Sequence, residues 1–196
     1  MSPAWSSSHP ILILDRDGVI NHDSDAYIKS VAEWTPIAGS IEAMARLSQR
    51  GYRLAVASNQ SGLARGLFTL TELNAMHQRL QELVSAQGGR IELIAFCPHG
   101  PRQGCTCRKP GTALLDDIGE RLGSGLKGVP FIGDSLSDIQ AARKVGAAPW
   151  LVRTGKGERT LTALRADSAQ ASAELDGVRV FRDLADAADT LLQSLG

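Results

Sequence analysis

The run Ile11-Leu12-Ile13-Leu14 breaks directly into Asp15-Arg16-Asp17-Gly18-Val19. Four consecutive aliphatic residues are too few for a helix and suit a strand covered on both faces. Such a strand belongs inside a sheet, and here its end delivers two carboxylates. Side chains two apart on an extended segment point the same way, so Asp15 and Asp17 are expected to face one space. Two negative charges that close repel each other unless a cation or a proton intervenes. A plain Asp-Gly turn would also account for the pair, so the rest of the chain has to decide.

Short apolar runs alternate with amphipathic stretches along most of the sequence. Strands are expected at Ile11–Leu14, Arg53–Ala57, Ile91–Phe96, Val129–Ile132, Pro149–Val152 and Val178–Phe181. Helices are expected at about Ser40–Arg50, Thr71–Gln87 with Thr71 as cap, Ala113–Leu122, Asp138–Val145 and Asp183–Leu195. The stretch from Asn21 to Pro36 is polar and irregular. This order predicts a three-layer α/β/α, Rossmann-like parallel sheet with right-handed crossovers and no large cap domain. In such sheets ligands bind outside the carboxyl ends of the strands. Chemistry does collect there: Asp15 and Asp17 after the first strand, Ser58-Asn59 after the second, a Cys/His loop after the third, Gly133-Asp134-Ser135 after the fourth.

Bulk properties narrow the function. The 196 residues suit one domain, expected at 10–196 behind a frayed segment 1–9. A formal net charge of zero, without blocks of one sign, gives no footprint for nucleic acid or an anionic membrane. The first residues have neither a basic start nor a sustained apolar stretch, so a cytoplasmic location is expected. A monomer is expected as well. Cys97, Cys105 and Cys107 are the only cysteines and fall within eleven positions. Odd and clustered, they argue against a disulfide framework.

Three groups of residues carry the chemistry. Asp134 and Asp138 sit four apart at a predicted helix start, where Ser135 could cap the helix with Asp138 at its third position. If Asp134 joins Asp15 and Asp17 at one sheet edge, the acidic groups need a cation, and all-oxygen ligation suits Mg²⁺. Ser58-Asn59-Gln60-Ser61-Gly62 offers a hydroxyl, amides and a loosened backbone for phosphate oxygens, although Ser58-Asn59 could equally make a turn. Cys97-Pro98-His99 and Cys105-Thr106-Cys107 form a Cys₃His set of the kind that holds structural Zn²⁺, in a loop inserted at about 97–109. Arg108 and Lys109 follow at once, so a fixed loop would carry two cations to the acidic edge. Trp34 and Trp150 are expected to pack rather than to touch a ligand.

In these residues the chain resembles phosphatases of the haloacid dehalogenase-like superfamily. Asp15-x-Asp17-Gly18, Ser58, Lys109 and Gly133-Asp134-x-x-x-Asp138 match its four motifs in order, over roughly residues 11 to 155. The zinc loop is similar to those of two families within it, the D-glycero-D-manno-heptose 1,7-bisphosphate 7-phosphatases and the histidinol-phosphate phosphatases. Asn59-Gln60-Ser61-Gly62-Leu63-Ala64-Arg65-Gly66 and Asp15-Arg16-Asp17-Gly18-Val19-Ile20-Asn21 resemble the first. The five residues between His99 and Cys105 resemble the second, and Ser135 stands where some heptose enzymes have Lys.

The resemblance implies roles that the spacing alone does not. Asp15 is the nucleophile and Asp17 the general acid and base, with Ser58 and Lys109 stabilising the phosphoryl group. Asp15, Asp134 and the backbone carbonyl of Asp17 hold Mg²⁺. Cys97, His99, Cys105 and Cys107 hold Zn²⁺. Asp23, Ser24, Asp25, Ala26, Asn59, Gln60, Ser61 and Arg108 meet the substrate, a small phosphorylated sugar. The implied reaction removes the 7-phosphate of the heptose bisphosphate, leaving heptose 1-phosphate for lipopolysaccharide precursors. The alternatives are a histidinol-phosphate phosphatase and a phospho-ligand-binding module without turnover.

Overall fold

Every residue of the first strand, β1 (Ile11–Leu14), is buried, as its unbroken apolar run requires. The computed structural model describes residues 9–166 and 174–194. Of the expected frayed start at 1–9, residues 1–8 lie outside them. Along the chain β1 is followed by α1 (Ser40–Gln49), β2 (Arg53–Asn59), α2 (Ser61–Ala64), α3 (Leu70–Ala86) and β3 (Ile91–Cys97). Then come α4 (Ala113–Leu122), β4 (Pro130–Gly133), α5 (Leu136–Lys144), β5 (Ala148–Val152), α6 (Gly157–Ala166), β6 (Arg179–Phe181) and α7 (Leu184–Gln193).

All pairings are parallel and the strand order is β3-β2-β1-β4-β5-β6. The two faces of β1 feed different cores, as the two-residue period of a strand demands. Leu12 and Leu14 pack with Met44 of α1, Leu73 and Leu80 of α3 and Leu184 of α7. Ile11 and Ile13 pack with Leu115 and Ile118 of α4 and Ala142 of α5. The expected three-layer α/β/α architecture is therefore present. Trp34 and Trp150 are buried in the first core.

This strand order puts a topological switch point beside β1. The chain leaves β1 for β2 and β3 on one side, then returns to place β4 on the other. Crossovers diverge there and leave a crevice at the carboxyl ends of β1 and β4. The Asp15 N–H donates to the Ile132 carbonyl at 2.8 Å, holding the two strand ends together. The stretch from 22 to 35 leaves and rejoins the sheet edge through an Asn21–Pro36 bridge and a His22 N–H to Thr35 carbonyl bond. It is an excursion over the crevice and far smaller than a cap domain.

Some boundaries differ from the sequence expectation. Thr69, not Thr71, caps α3: its hydroxyl accepts from the Glu72 amide and Glu72 answers to the Thr69 amide. That capping box needs an acid three residues on, which Thr69 has and Thr71, followed by Asn74, lacks. Helix α5 starts at Leu136 behind Ser135, ahead of the expected Asp138. Helices α2 and α6 were not foreseen. The first is a single turn, and the second has large apolar residues only at Leu161 and Leu164, too few for a period.

Thr69→Ala is expected to lower stability by about 1 kcal/mol, the usual worth of such a cap, in denaturant melts. No measurable loss would mean that the box contributes nothing to α3.

Candidate active site

Asp15 stands at the switch point, its side chain mostly buried. Its Oδ1 accepts the Arg16 amide at 2.7 Å and lies 3.0 Å from the Lys109 ammonium. Lys109 is almost fully buried and spends its three protons inside the site. Nζ reaches Asp15 Oδ1, Asp138 Oδ1 at 2.6 Å, and the Ala57 carbonyl at 2.7 Å. Burial works against that charge, but Asp138 and Asp15 outweigh it and raise the Lys109 pKa.

Asp134 leaves the end of β4. Its Oδ2 accepts the Lys156 amide at 2.7 Å, and its carbonyl accepts the Thr160 hydroxyl. The wall beside it is made by Gly18 and Gly155, both at positive φ. A Cβ on either would fall about 2 Å from Asp134 Oδ2, so only glycine lets these backbones meet over the carboxylate. Asp138 completes the helix cap and also reaches into the site. Its Oδ2 accepts from the Ser135 amide and hydroxyl as a helix cap, while Oδ1 faces Lys109.

Asp15, Asp134 and Asp138 each present an oxygen within 4.8 Å of the others. The expected partner Asp17 is close, but its carboxylate is not in that set. The strand ends at Leu14 and bends at Arg16, so the two-residue alternation does not extend to Asp17. Its oxygens are instead gripped by the buried Arg16 fork at 2.9 to 3.1 Å, by Asn21 Nδ2 at 2.9 Å and by Gln60 Nε2 at 2.8 Å. Burial pushes the Asp17 carboxyl up, yet Arg16 and these hydrogen bonds outweigh it and hold it below its ordinary value.

Charge at the crevice does not balance by protein groups alone. Four carboxylates (Asp15, Asp17, Asp134, Asp138) face two buried cations, Arg16 and Lys109. Burial, with Asp138 and Asp17 nearby, pushes Asp15 up to about 7 despite Lys109. Burial and the charges of Asp15 and Asp138 push Asp134 up to about 8. An excess of two negative charges on hard oxygen ligands fits one divalent ion such as Mg²⁺.

The second cluster lies just beyond. Cys97, His99, Cys105 and Cys107 converge within 4.8 Å. Successive Sγ and Nδ1 separations are 3.2 to 3.6 Å. With metal–sulfur bonds of about 2.3 Å, a tetrahedral ion needs edges of roughly 3.7 Å, so the four atoms fit such an ion with slight expansion. Burial and the neighbouring Cys107 thiol push the Cys97 thiol up to about 12. A cation among the sulfurs would reverse that preference.

A cavity of about 360 Å³ opens over Asp15 and carries most of the expected substrate residues on its wall. Asp23, Ser24, Asp25, Ser58, Asn59, Gln60, Ser61 and Arg108 line it, and Ala26 does not. A turn closed by the Tyr27 amide on the Ser24 carbonyl, with Tyr27 at φ 67°, presents the tyrosine there instead of Ala26. Ser24 Oγ accepts the Ala26 amide and so builds the turn. Asn59 and Gln60 are also engaged with protein. The Asn59 amide pairs with both the N–H and the carbonyl of Lys109, at 3.0 and 3.1 Å. Gln60 bridges Asp17 to the buried Ser58 hydroxyl, at 2.8 and 2.7 Å.

Arg16, Asn21 and Lys156 escaped the sequence reading as site residues. Lys156 could have been found, because Thr154-Gly155-Lys156 follows β5 and the strand-end rule applies to that strand too. Its ammonium pairs with Asp23 at 2.8 Å and ties the excursion to the crevice.

A family model for haloacid dehalogenase-like hydrolases matches residues 4–146. The chain belongs to the haloacid dehalogenase-like hydrolase family. Among its members, it is 55% identical over 186 residues to the D-glycero-beta-D-manno-heptose-1,7-bisphosphate 7-phosphatase of Pseudomonas aeruginosa, covering 95% of this chain and 99% of that one. The enzyme of the same name from Bordetella bronchiseptica is 49% identical over 183 residues, 93% of this chain and 98% of that one. A crystal structure of the D,D-heptose 1,7-bisphosphate phosphatase from B. bronchiseptica, complexed with magnesium and phosphate, superposes with a TM-score of 0.88 at 48% identity. It covers 94% of this chain and 99% of its own. The haloacid dehalogenase-like core foreseen from the motifs is thus established.

The charge excess has a pH signature in the ion-free protein. Folded Asp15 and Asp134 keep protons at pH values where the unfolded chain has lost them, so stability falls as pH rises through about 7 and 8. His77, pushed down to about 4 by burial and Arg16, gives the opposite slope, but only below its ordinary 6.5. Melting temperatures of chelator-treated protein are therefore expected to drop between pH 6.5 and 8, with added Mg²⁺ raising them most at the upper end. A flat profile would contradict the imbalance.

Proposed function

We propose that this chain is a Mg²⁺-dependent phosphoric monoester hydrolase that removes the 7-phosphate of D-glycero-D-manno-heptose 1,7-bisphosphate. The observation that carries the reading is the 55% identity to an enzyme of that name across 99% of its length. The convergence of Asp15, Lys109, Asp134 and Asp138 under one cavity supports it independently. The product, heptose 1-phosphate, would serve lipopolysaccharide precursor synthesis. We place the enzyme in the cytoplasm as a monomer with a single domain over 10–196. Among the described residues no helix is long and apolar enough to cross a membrane.

In this reading Asp15 attacks phosphorus in line with the ester oxygen. A bond forms from its carboxylate to phosphorus, the ester bond breaks, and the electron pair leaves on the sugar oxygen. Asp17 supplies the proton to that oxygen. Water then attacks the aspartyl-phosphate at phosphorus, Asp17 takes its proton, and phosphate leaves with Asp15 restored. Arg16, Asn21 and Gln60 favour ionised Asp17, the form needed in the second half. For the first half the proton is drawn in with the substrate, whose phosphate is itself protonated below about pH 6.

Ser58, whose hydroxyl accepts from Gln60, has its proton left for a phosphoryl oxygen, and Lys109 stabilises the phosphoryl group through its positive charge. Asp15, Asp134 and the backbone carbonyl of Asp17 would hold Mg²⁺, which when bound offsets the repulsion between these carboxylates and the incoming phosphate. Asn59 fixes the Lys109 backbone, and Gln60 holds Asp17 and Ser58 in register. Arg108 meets the remote phosphate, with Asp23, Ser24, Asp25 and Ser61 along the sugar. Structural Zn²⁺ on Cys97, His99, Cys105 and Cys107 fixes the loop from which Arg108 and Lys109 project.

Phosphate release from heptose 1,7-bisphosphate is expected to exceed that from histidinol phosphate in kcat/KM, and to require Mg²⁺. Asp15→Asn should lower kcat roughly a thousandfold or more while the fold survives. A larger kcat/KM with histidinol phosphate would displace the substrate assignment. Undiminished activity in Asp15→Asn would remove the mechanism.

Zinc removal provides a separate check. Elemental analysis should find one zinc per chain, and stripping it should lower thermal stability and activity together, because structural zinc contributes folding free energy. Zinc-free protein of full stability and activity would overturn that assignment.

A further inference from the structure

Of the five cationic side chains that line the cavity, three are spent on carboxylates. Arg16 is locked to Asp17, Lys109 to Asp15 and Asp138, and Lys156 to Asp23 at 2.8 Å. Two guanidinium groups remain. Arg108 donates only to the His99 carbonyl, at 3.3 Å, and among the described residues no carboxylate pairs with it. Arg65 likewise has no carboxylate partner among the described residues. Its guanidinium lies over the Tyr27 ring, 5.7 Å from the centroid. A cation–π contact of that kind orients the group without neutralising it.

The placement of Arg65 is built rather than incidental. It terminates the single turn α2, with its amide on the Ser61 carbonyl. That turn is pressed against Phe68 so closely that a Cβ on Gly62 would sit 2.2 Å from the ring. The other side of α2 meets the zinc loop, where a Cβ on Gly100 would touch the Ala64 methyl at 3.8 Å. Arg108 is tied to the residue before Gly100. Arg65, Pro101 and Arg108 all line the one cavity wall. Below Arg65, Tyr27 is held at φ 67°, a region bulky residues avoid unless the surroundings impose it.

We infer that Arg65, seated on Tyr27, is a second anion-binding residue that joins Arg108 in gripping the phosphate remote from Asp15. The inference rests on the bisphosphate reading above and adds to it a residue that sets substrate choice. A phosphate accepts guanidinium forks in pairs, and these are the two forks in the cavity with charge to spare. Tyr27 acts as a positioning residue: it holds the Arg65 guanidinium at the wall before substrate arrives.

The test compares the heptose 1,7-bisphosphate with the same sugar phosphorylated only at position 7, in the wild-type chain, Arg65→Met, Arg65→Lys, Tyr27→Leu and Tyr27→Phe. Arg65→Met is expected to lower the bisphosphate-to-monophosphate ratio of kcat/KM about tenfold, as loss of one charge-assisted contact would. The loss should fall on KM more than on kcat. Arg65→Lys should recover part of the ratio, and Tyr27→Leu should lower it more than Tyr27→Phe. A ratio unchanged in Arg65→Met, with a wild-type preference for the bisphosphate, would overturn the inference alone. A wild-type chain indifferent to the second phosphate would overturn the bisphosphate reading and the inference with it. Monophosphate turnover in each variant reports that the fold and the chemical centre remain intact.

Discussion

The buried ammonium of Lys109 is the contact on which the rest of the crevice depends. It sits between Asp15 and Asp138 and also closes on the Ala57 carbonyl. Remove it, and two carboxylates delivered by different strands face each other in a poorly hydrated space. Such an unpaired buried charge costs several kcal/mol. The surrounding structure is organised to keep this cation in place. Asn59, at the end of β2, grips the Lys109 backbone from both sides. The Cys/His cluster converges in the loop that presents it and ends two residues earlier, at Cys107.

The same electrostatics divide labour between neighbouring residues. Asp15 and Asp17 are separated by one residue and have opposite tendencies, one pushed up to about 7 and the other held low. The difference comes from partners rather than from depth. Asp15 shares its cation with Asp138, whereas Arg16 pairs with no carboxylate but Asp17 among the described residues, and Asn21 and Gln60 also hold Asp17. The bend at Arg16 gives the two carboxylates different neighbours although only one residue separates them.

The sequence disclosed the fold through the strand runs, because an apolar stretch buried on both faces has few other homes. It disclosed the site through the rule that ligands meet strand ends. Asp134, Ser58 and the Cys₃His loop were legible for that reason. Details that depend on where the backbone bends were not. The alternation argument assumed that β1 runs through Asp17, but the chain turns at Arg16 and gives Asp17 another set of partners. Ala26 was expected at the sugar, and a left-handed residue puts Tyr27 there. Asn59 and Gln60 looked like ligand-facing amides, and hydrogen bonds to residues far along the chain show their amides engaged with Lys109 and Asp17. Pairings at a sequence distance of forty or fifty leave no local pattern to read.

The pocket draws Asp15 from the first strand, Ser58 from the second, the cysteine loop from the third, Asp134 from the fourth and Lys156 from beyond the fifth. Its parts thus span most of the polypeptide, and each is stabilised by a charge or a hydrogen bond from another part. No contiguous half of the molecule inherits a workable remnant of the centre. Phosphate turnover in this chain is consequently a readout of completed assembly: an intermediate lacking any one crossover would be catalytically silent.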